Sequence, residues 1–480
     1  TATGNLAGLG TNTFTGDQVI NGVSVGKGAN SVAGNTVLGE NALDAAVTGG
    51  NNTAIGKDAL GANTSGSTNV AVGHLALSSN TTAYQNTAIG FESLKVSTTG
   101  SHNTALGYQA LDANTTGASN TALGKGSLGS CTTGGGNTAV GDNALEDVTT
   151  ASGSTAVGHS ALANNTAAES TALGKNALKS NTSGGTNTAI GFDSLQANTT
   201  GGGNVACGHD AMRLYTGSNS VAFGKSSLSA AGSGTQNGGS NVAVGISALR
   251  VNEGGQQNVA VGDTAMQNNT SGNTNVAVGQ SALGANTTGG QNTAIGANAL
   301  DANTTANDNV AVGYGNLTDN TTGASNVGLG TNTLANNTTA SQNTALGNAA
   351  MHVNTTGAYN TAVGSIALYN NTTASENVAV GYRALHLTTT GNHNISVGAN
   401  NLDANTTGAQ NTSIGHAALS ENTTASNNTA VGFLALNANT TGGNNTAVGS
   451  SALDAVTTGS WNTAVGKEAL TSATSDQTQL

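Results

Sequence analysis

The sequence predicts an all-β fold: a parallel β-solenoid or β-roll of about 26 rungs with a 17-residue period. Three observations carry that expectation. First, twenty-six glycines, beginning with Gly39 and ending with Gly466, follow one another at 17 residues in 22 of 25 steps. Two steps are 16 (Gly158 to Gly174, Gly208 to Gly224) and one is 21 (Gly224 to Gly245). A fixed short period means one small unit stacked many times. Second, the four residues before each glycine alternate in type, as the two faces of a strand do. Third, proline is absent from all 480 residues, which suits an unbroken ladder because proline cannot donate a ladder hydrogen bond. The glycine and Asn-Thr-Thr content of each unit excludes a helix, and no window carries an i, i+3, i+4, i+7 apolar stripe.

With the repeat glycine as column 0, the unit reads N-[TV]-A-[VIL]-G-x-x-A-L-x-x-N-T-T-G-x-x, almost pure over residues 103–119 (NTALGYQALDANTTGAS). Column −4 is Asn in 23 of 26 units and Ser at Ser154, Ser170 and Ser220. Column −1 is Val, Ile or Leu except at Cys207 and Phe223, and column +4 is Leu except at Met212, Met266 and Met351. Along the strand, Thr/Val and Val/Ile/Leu share a β-branched face that suits a pleated surface. Asn, Ala and Gly share a small face that suits close approach of another backbone. Ala-Leu at +3 and +4 is expected to form a second short extended piece. Asn-Thr-Thr-Gly is turn chemistry, with Asn bonding its own backbone and Gly supplying positive φ. Stacking makes ladders of like residues, for which Gly107, Leu111, Asn103 and Asn114 are the structural markers, and an Asn ladder can bond amide to amide along the axis.

Each rung offers only two sizeable apolar side chains, a thin core for one chain. Several chains are therefore expected to share a core, as an intertwined or side-by-side homotrimer forming a rod. In that reading the Ala/Gly/Asn face or the Leu column turns toward the neighbours. Residues 1–30 lie outside the period and read as a non-repeat N-terminal β segment, with Gly-Asp and Asn-Gly turns in residues 12–25. Residues 31–480 form the repeat shaft, with a turn insertion at 229–240. All length changes fall in the turn region, which marks an outward loop. The start at Thr1 without a visible signal peptide, and an end inside a rung at Leu480, lead us to expect a processed product or fragment.

Charged residues are 7 %, aromatics 3 %, and the net charge is −12. Such a balance argues against nucleic acid and anionic membrane surfaces as partners. No apolar run reaches about 18 residues, so no membrane insertion is expected. Cys131 and Cys207 lie four to five rungs apart in sequence, roughly 20 Å at about 4.8 Å per rung, too far for a disulfide. No catalytic triad, carboxylate pair or phosphate loop stands out, and the chain is expected to be neither an enzyme nor a cofactor protein. No His-x-His occurs, and His386 and His393 fall in different columns, so no metal is expected. Asn114 and Asn286 head Asn-Thr-Thr triplets that match the glycosylation acceptor pattern but read as turn residues.

Column +1 is the candidate surface-contact column. It collects Phe91, Tyr108, Phe192, Tyr314, Tyr382 and Phe433, with His74, His159, His209 and His416, and the lysines Lys57, Lys125, Lys175, Lys225 and Lys467. As a contact stripe it would stack on sugars and attract acidic glycans, with arrayed sites gaining by multivalency. As an ordinary outer face it merely covers the coil.

The unit NTAVGxxALxxNTTG resembles the repeat of phage-type tail fibre proteins. It is also similar to the SVAIGxxA coils of trimeric autotransporter adhesin heads, matched here at Ser220-Val-Ala-Phe-Gly224 and Asn241-Val-Ala-Val-Gly245. The 17-residue rung is longer than the adhesin coil, with the extra length near the turn. The resemblance covers nearly the whole chain and implies a homotrimeric fibre, extracellular or on a virion surface. The leading expectation is a structural fibre shaft that spaces an attachment tip. A second is a rod that itself binds cell-surface glycans or a receptor. A third is an ice-binding solenoid, disfavoured because the Thr pair at +8 and +9 diverges.

Overall fold

The computed structural model describes residues 16–229 and 238–472. Most of the insertion at 229–240, residues 1–15 of the N-terminal segment and residues 473–480 lie outside them. The chain divides into two compact units, Thr1–Asn219 and Ser220–Leu480.

In the first unit, β1 (Gln18–Ile20) and β2 (Val23–Gly26) form an antiparallel hairpin. Its turn is Asn21-Gly22, both at positive φ, the pairing that matches strand twist in two-residue hairpins. After a single 3-10 turn at Ala29–Ser31, β2 also pairs antiparallel with β3 (Thr36–Gly39). The strands from β4 (Thr53–Ile55) to β13 (Val205–Cys207) then follow one per rung. The second unit repeats this from β14 (Val221–Phe223) to β28 (Thr463–Val465). Within the rungs of each unit pairing is parallel and column to column, as in Thr104↔Thr121 and Ala105↔Ala122, and in Thr293↔Val310 and Ala294↔Ala311. The chain is thus an all-β, parallel β-solenoid with a 17-residue period.

Three-residue strands are short for a stable sheet, and the rest of the rung supplies the missing bonds. In the rung at Gly107, Thr104 N–H donates to Asn120 O at 2.8 Å, and Gly107 N–H donates back to Ile89 O at 2.9 Å. Beyond the strand, Gln109 N–H reaches Phe91 O at 2.9 Å, Leu111 N–H reaches Ser127 O at 3.0 Å, and Thr115 N–H reaches Thr132 O at 2.9 Å. The amide of Asn114 instead closes a turn within the rung, on Leu111 O at 3.2 Å. Amides therefore point alternately to the previous rung, to the next, and inward.

That alternation requires peptide planes to flip, and left-handed residues flip them. Gln109, Leu111 and Ser119 have φ of 54°, 53° and 61°. The same three columns, +2, +4 and −5, are left-handed in rung after rung. For a leucine this conformation costs about 1 kcal/mol or more, which the rung-to-rung bonds offset. The Ala-Leu piece is therefore a left-handed turn, not the extended segment expected from sequence. Gly107 itself sits at φ 144°, and a Cβ there would lie 2.5 Å from the Gly124 carbonyl oxygen. Only glycine fits column 0.

The interior inverts part of the expected arrangement. Ala105, Ala110 and Leu111 are fully buried inside their own chain, as are Asn103 and Asn114. Neither the Ala/Gly/Asn face nor the Leu column turns toward a neighbouring chain. The interior is filled by Leu or Met at +4 and by small residues, mostly Ala, at +3 and −2. The small face does receive another backbone closely, at column 0, but it belongs to the next rung of the same chain. Thr/Val and Val/Ile/Leu consequently point outward.

Two asparagine ladders line this interior. Asn103 Oδ1 accepts Asn120 N–H at 2.9 Å, and its Nδ2 donates to Gly117 O at 2.9 Å. Asn114 Nδ2 donates to the same Gly117 oxygen at 3.1 Å. In the second unit the column +7 ladder runs amide to amide: Asn286 Nδ2 donates to Asn269 Oδ1 at 2.8 Å, and Asn303 Nδ2 donates to Asn286 Oδ1 at 2.9 Å. Buried amides demand partners, and the repeat supplies most of them, though the Oδ1 of Asn114 is buried without one. Asn114 and Asn286 are wholly inside, so the folded rung has no room for a glycan on either.

Candidate interaction surface

Column +1 is on the outside, as its mixed composition suggests, but its rings chiefly meet one another. Rung spacing brings like columns within stacking distance, so adjacent rings lie face to face along the axis. His74 stacks on Phe91 with centroids 5.3 Å apart and planes 24° off parallel. Phe91 stacks on Tyr108 at 5.2 Å and 6°. Phe192 has His209 at 5.1 Å against one face and the Lys175 ammonium 5.9 Å from its centroid. Phe433 stacks on His416 at 5.7 Å. Offset-stacked pairs at these distances are worth about 0.5–1.5 kcal/mol beyond burial. Rings that cover each other's faces present only edges outward, so they make poor platforms for a sugar.

Tyr314 and Tyr382 differ. Their column neighbours are Ala297 and Thr331, and Ser365 and Ala399. The two rings are 58 % and 52 % exposed. Of the lysines, Lys57 pairs with Glu40 at 3.3 Å, both exposed, a contact of small energetic weight. Lys125 is exposed one rung beyond Tyr108. The predicted contact residues are therefore spread along both units and do not converge on one site.

Beside the first aromatic stack, Gln109 Nε2 and Lys95 Nζ each donate to Glu92, both at 2.9 Å. These two bonds hold the Glu92 carboxyl below its ordinary range, Gln109 contributing most.

A second aromatic column escaped the sequence reading. His352, Tyr369 and His386 all lie at +5, successive rungs apart. His352 stacks on Tyr369 at 5.2 Å, and Tyr369 meets His386 at 5.7 Å, tilted by 39°. Asp403 continues this column, and its carboxylate accepts from Arg383 Nη2 at 2.9 Å and Nε at 3.3 Å. These bonds raise the Arg383 guanidinium pKa further, while burial lowers that of His386. The numbers 352, 369, 386 and 403 differ by 17 each, so the period itself was the available signal.

The strand face is also turned outward. Leu106, Leu123 and Leu173 in the first unit, and Ile295, Leu329 and Leu346 in the second, are 40 to 46 % exposed. With the Thr/Val column beside them they form an apolar stripe on each unit. Parallel sheets are ordinarily covered on both faces. Here the rest of the rung covers one face only.

Cys131 and Cys207 are both free thiols. Cys131 takes the place of a ladder asparagine, and burial pushes its thiol up to about 11. Cys207 lies in the half-buried strand face. No helix among the described residues is long and apolar enough to cross a membrane.

The chain matches no protein-family model and no curated protein. Its class rests on the fold: a β-solenoid repeat protein.

Proposed function

We propose that this chain is the shaft of a fibrous appendage, built by three copies that pack their outward strand faces together. The apolar stripe of columns −3 and −1 carries the reading. Exposed apolar patches of this extent mark association surfaces, and like columns repeating at one spacing would let identical chains pack along their whole length. The shared core is thus formed by the β-branched face, in place of the Ala/Gly/Asn face or the Leu column. An extracellular or virion-surface location, and a role in spacing an attachment tip, follow from the resemblance of the repeat to tail fibre and adhesin coils. We assign the shaft no reaction.

Ice binding is disfavoured by the turn hydroxyls. Thr115 Oγ1 donates to Thr132 O at 3.0 Å, and Thr287 Oγ1 donates to Thr304 O at 3.0 Å. That array is committed to the rung above. The test of the shaft reading is the solution mass of the folded chain by light scattering. Three times 46.2 kDa is expected, and a monomer mass at micromolar concentration overturns it.

A further inference from the structure

The stacked rings of column +1 define what a ring in this column can accept. Neighbouring rings lie 5.1 to 5.7 Å away along the axis. Each ring therefore turns one face toward the preceding rung and one toward the following rung. At Tyr382 those two positions hold Ser365 and Ala399, so both neighbouring ring sites are unfilled.

The Arg383 side chain is hydrogen-bonded to that of Tyr382. Arg383 follows it directly and is fixed by two bonds to Asp403, at 2.9 and 3.3 Å. Between Arg250 and Lys467 it is the only Lys or Arg in the sequence. His386, mostly buried, lies with Nδ1 3.4 Å from Asp403 Oδ1. Tyr314 also has open faces, but neither neighbour in sequence, Gly313 or Gly315, is charged. Among the described residues, the open ring, the lone cation and its carboxylate coincide at Tyr382 alone.

We infer that Tyr382, Arg383 and Asp403 form a binding site for a neutral pyranose. The sugar's C–H face lies on the tyrosine ring, in the space that a stacked ring fills elsewhere in the column. Its hydroxyl pair meets Arg383, which donates, and Asp403, which accepts. That donor–acceptor pair is held rigid before binding, which reduces the ordering cost. A cationic ligand is disfavoured beside Arg383. An anionic one gains little from a guanidinium already paired with Asp403, in a chain of net charge −12. A single such site binds weakly, with a dissociation constant on the order of millimolar. The inference stands apart from the shaft reading, since one chain supplies every residue of the site.

Saturation-transfer NMR on the full chain tests it. The probes are the methyl pyranosides of glucose, galactose, mannose and N-acetylglucosamine, each at millimolar concentration. Transfer to at least one is expected. Tyr382→Ala abolishes it, Tyr382→Phe keeps it, and Arg383→Ala weakens affinity about tenfold. Tyr314→Ala leaves it unchanged. Unaltered circular dichroism in each variant keeps the comparison valid, since these side chains are at the surface. No transfer from any of the four probes, or transfer that survives Tyr382→Ala, overturns the inference.

Discussion

The side-chain amide of Asn316 fills the space where a Cβ on residue 328, one rung later, would lie, and residue 328 is glycine. Both positions are alanine in most rungs, at columns +3 and −2. Asn316 is fully buried, and its Nδ2 donates to Gly330 O at 3.1 Å. The other interior asparagine at +3, Asn401, faces a serine, and the Ser413 hydroxyl donates to Asn401 Oδ1. A larger residue on one side of the rung thus demands a smaller or bonding residue on the other. Gly328→Ala alone should destabilise by about 1–3 kcal/mol through overpacking. Adding Asn316→Ala restores the Ala–Ala pair and should recover most of that loss. Urea unfolding of the two single variants and the double variant measures the coupling; additive effects would refute the packing link.

The outward strand face supplies the second prediction. Replacing Leu106 and Leu123 together by Lys puts two charges in the proposed contact while leaving the interior untouched. The solution mass should fall to that of one chain with an unchanged circular dichroism spectrum. Cys207 gives an independent readout, because it lies in the same face. Its thiol should react slowly with an aromatic disulfide reagent in the assembled chain and at least tenfold faster in the dissociated variant. Equal rates would remove this face from the interface.

How far the sequence could be read depends on which physical rule each column obeys. The period, the Gly107 column and the Asn103 ladder were legible, because a stacked residue meets its own copy and must be compatible with it. The direction of the strand face was not. By transfer energy alone, Leu106 belongs inside before Ala105. Leu111 already occupies the interior, where Ala105 is also fully buried. Nor was the left-handed turn legible, because a leucine at φ 53° contradicts its intrinsic preference and is held there only by bonds to adjacent rungs. The aromatic column was placed correctly on the surface, but single-residue reasoning overlooked that His74, Phe91 and Tyr108 would cover one another.

Cys131 provides a prediction in pH. Burial raises its thiol from 9.0 to about 11. The folded chain thus favours the neutral thiol more than the unfolded chain does. Its contribution is fully present below pH 9 and is lost as pH rises through about 11. The loss amounts to roughly 2–3 kcal/mol at most, from about 1.4 kcal/mol per pKa unit. Cys131→Ala should therefore show a flatter fall in stability between pH 9 and 11 than the parent chain. Curves of the same slope would contradict the buried thiol.

The column +7 ladder has faults, and they test its energetics. Where two successive rungs both carry asparagine here, the later one donates from Nδ2 to the Oδ1 of the earlier, as Asn80 does to Asn63. Where the next residue lacks an amide, the last Oδ1 is left without a partner. Asn80 precedes Ser97, and Asn114 precedes Cys131; both oxygens are buried and unpaired, as is Ser97 Oγ. An unsatisfied buried acceptor costs about 1–3 kcal/mol. Ser97→Asn would donate to Asn80 and accept from Asn114, whose Nδ2 now reaches only Gly117 O. It joins two ladder segments in a column already shaped for asparagine. Cys131→Asn would satisfy Asn114 but leave its own oxygen facing Val148, so the fault moves one rung. Ser97→Asn should therefore stabilise by about 1–2 kcal/mol and slow hydrogen exchange in its own and adjacent rungs. Cys131→Asn should give no net gain. Were both substitutions equally stabilising, amide pairing along the ladder would not be what distinguishes these positions, and the packing of an added side chain would account for the effect.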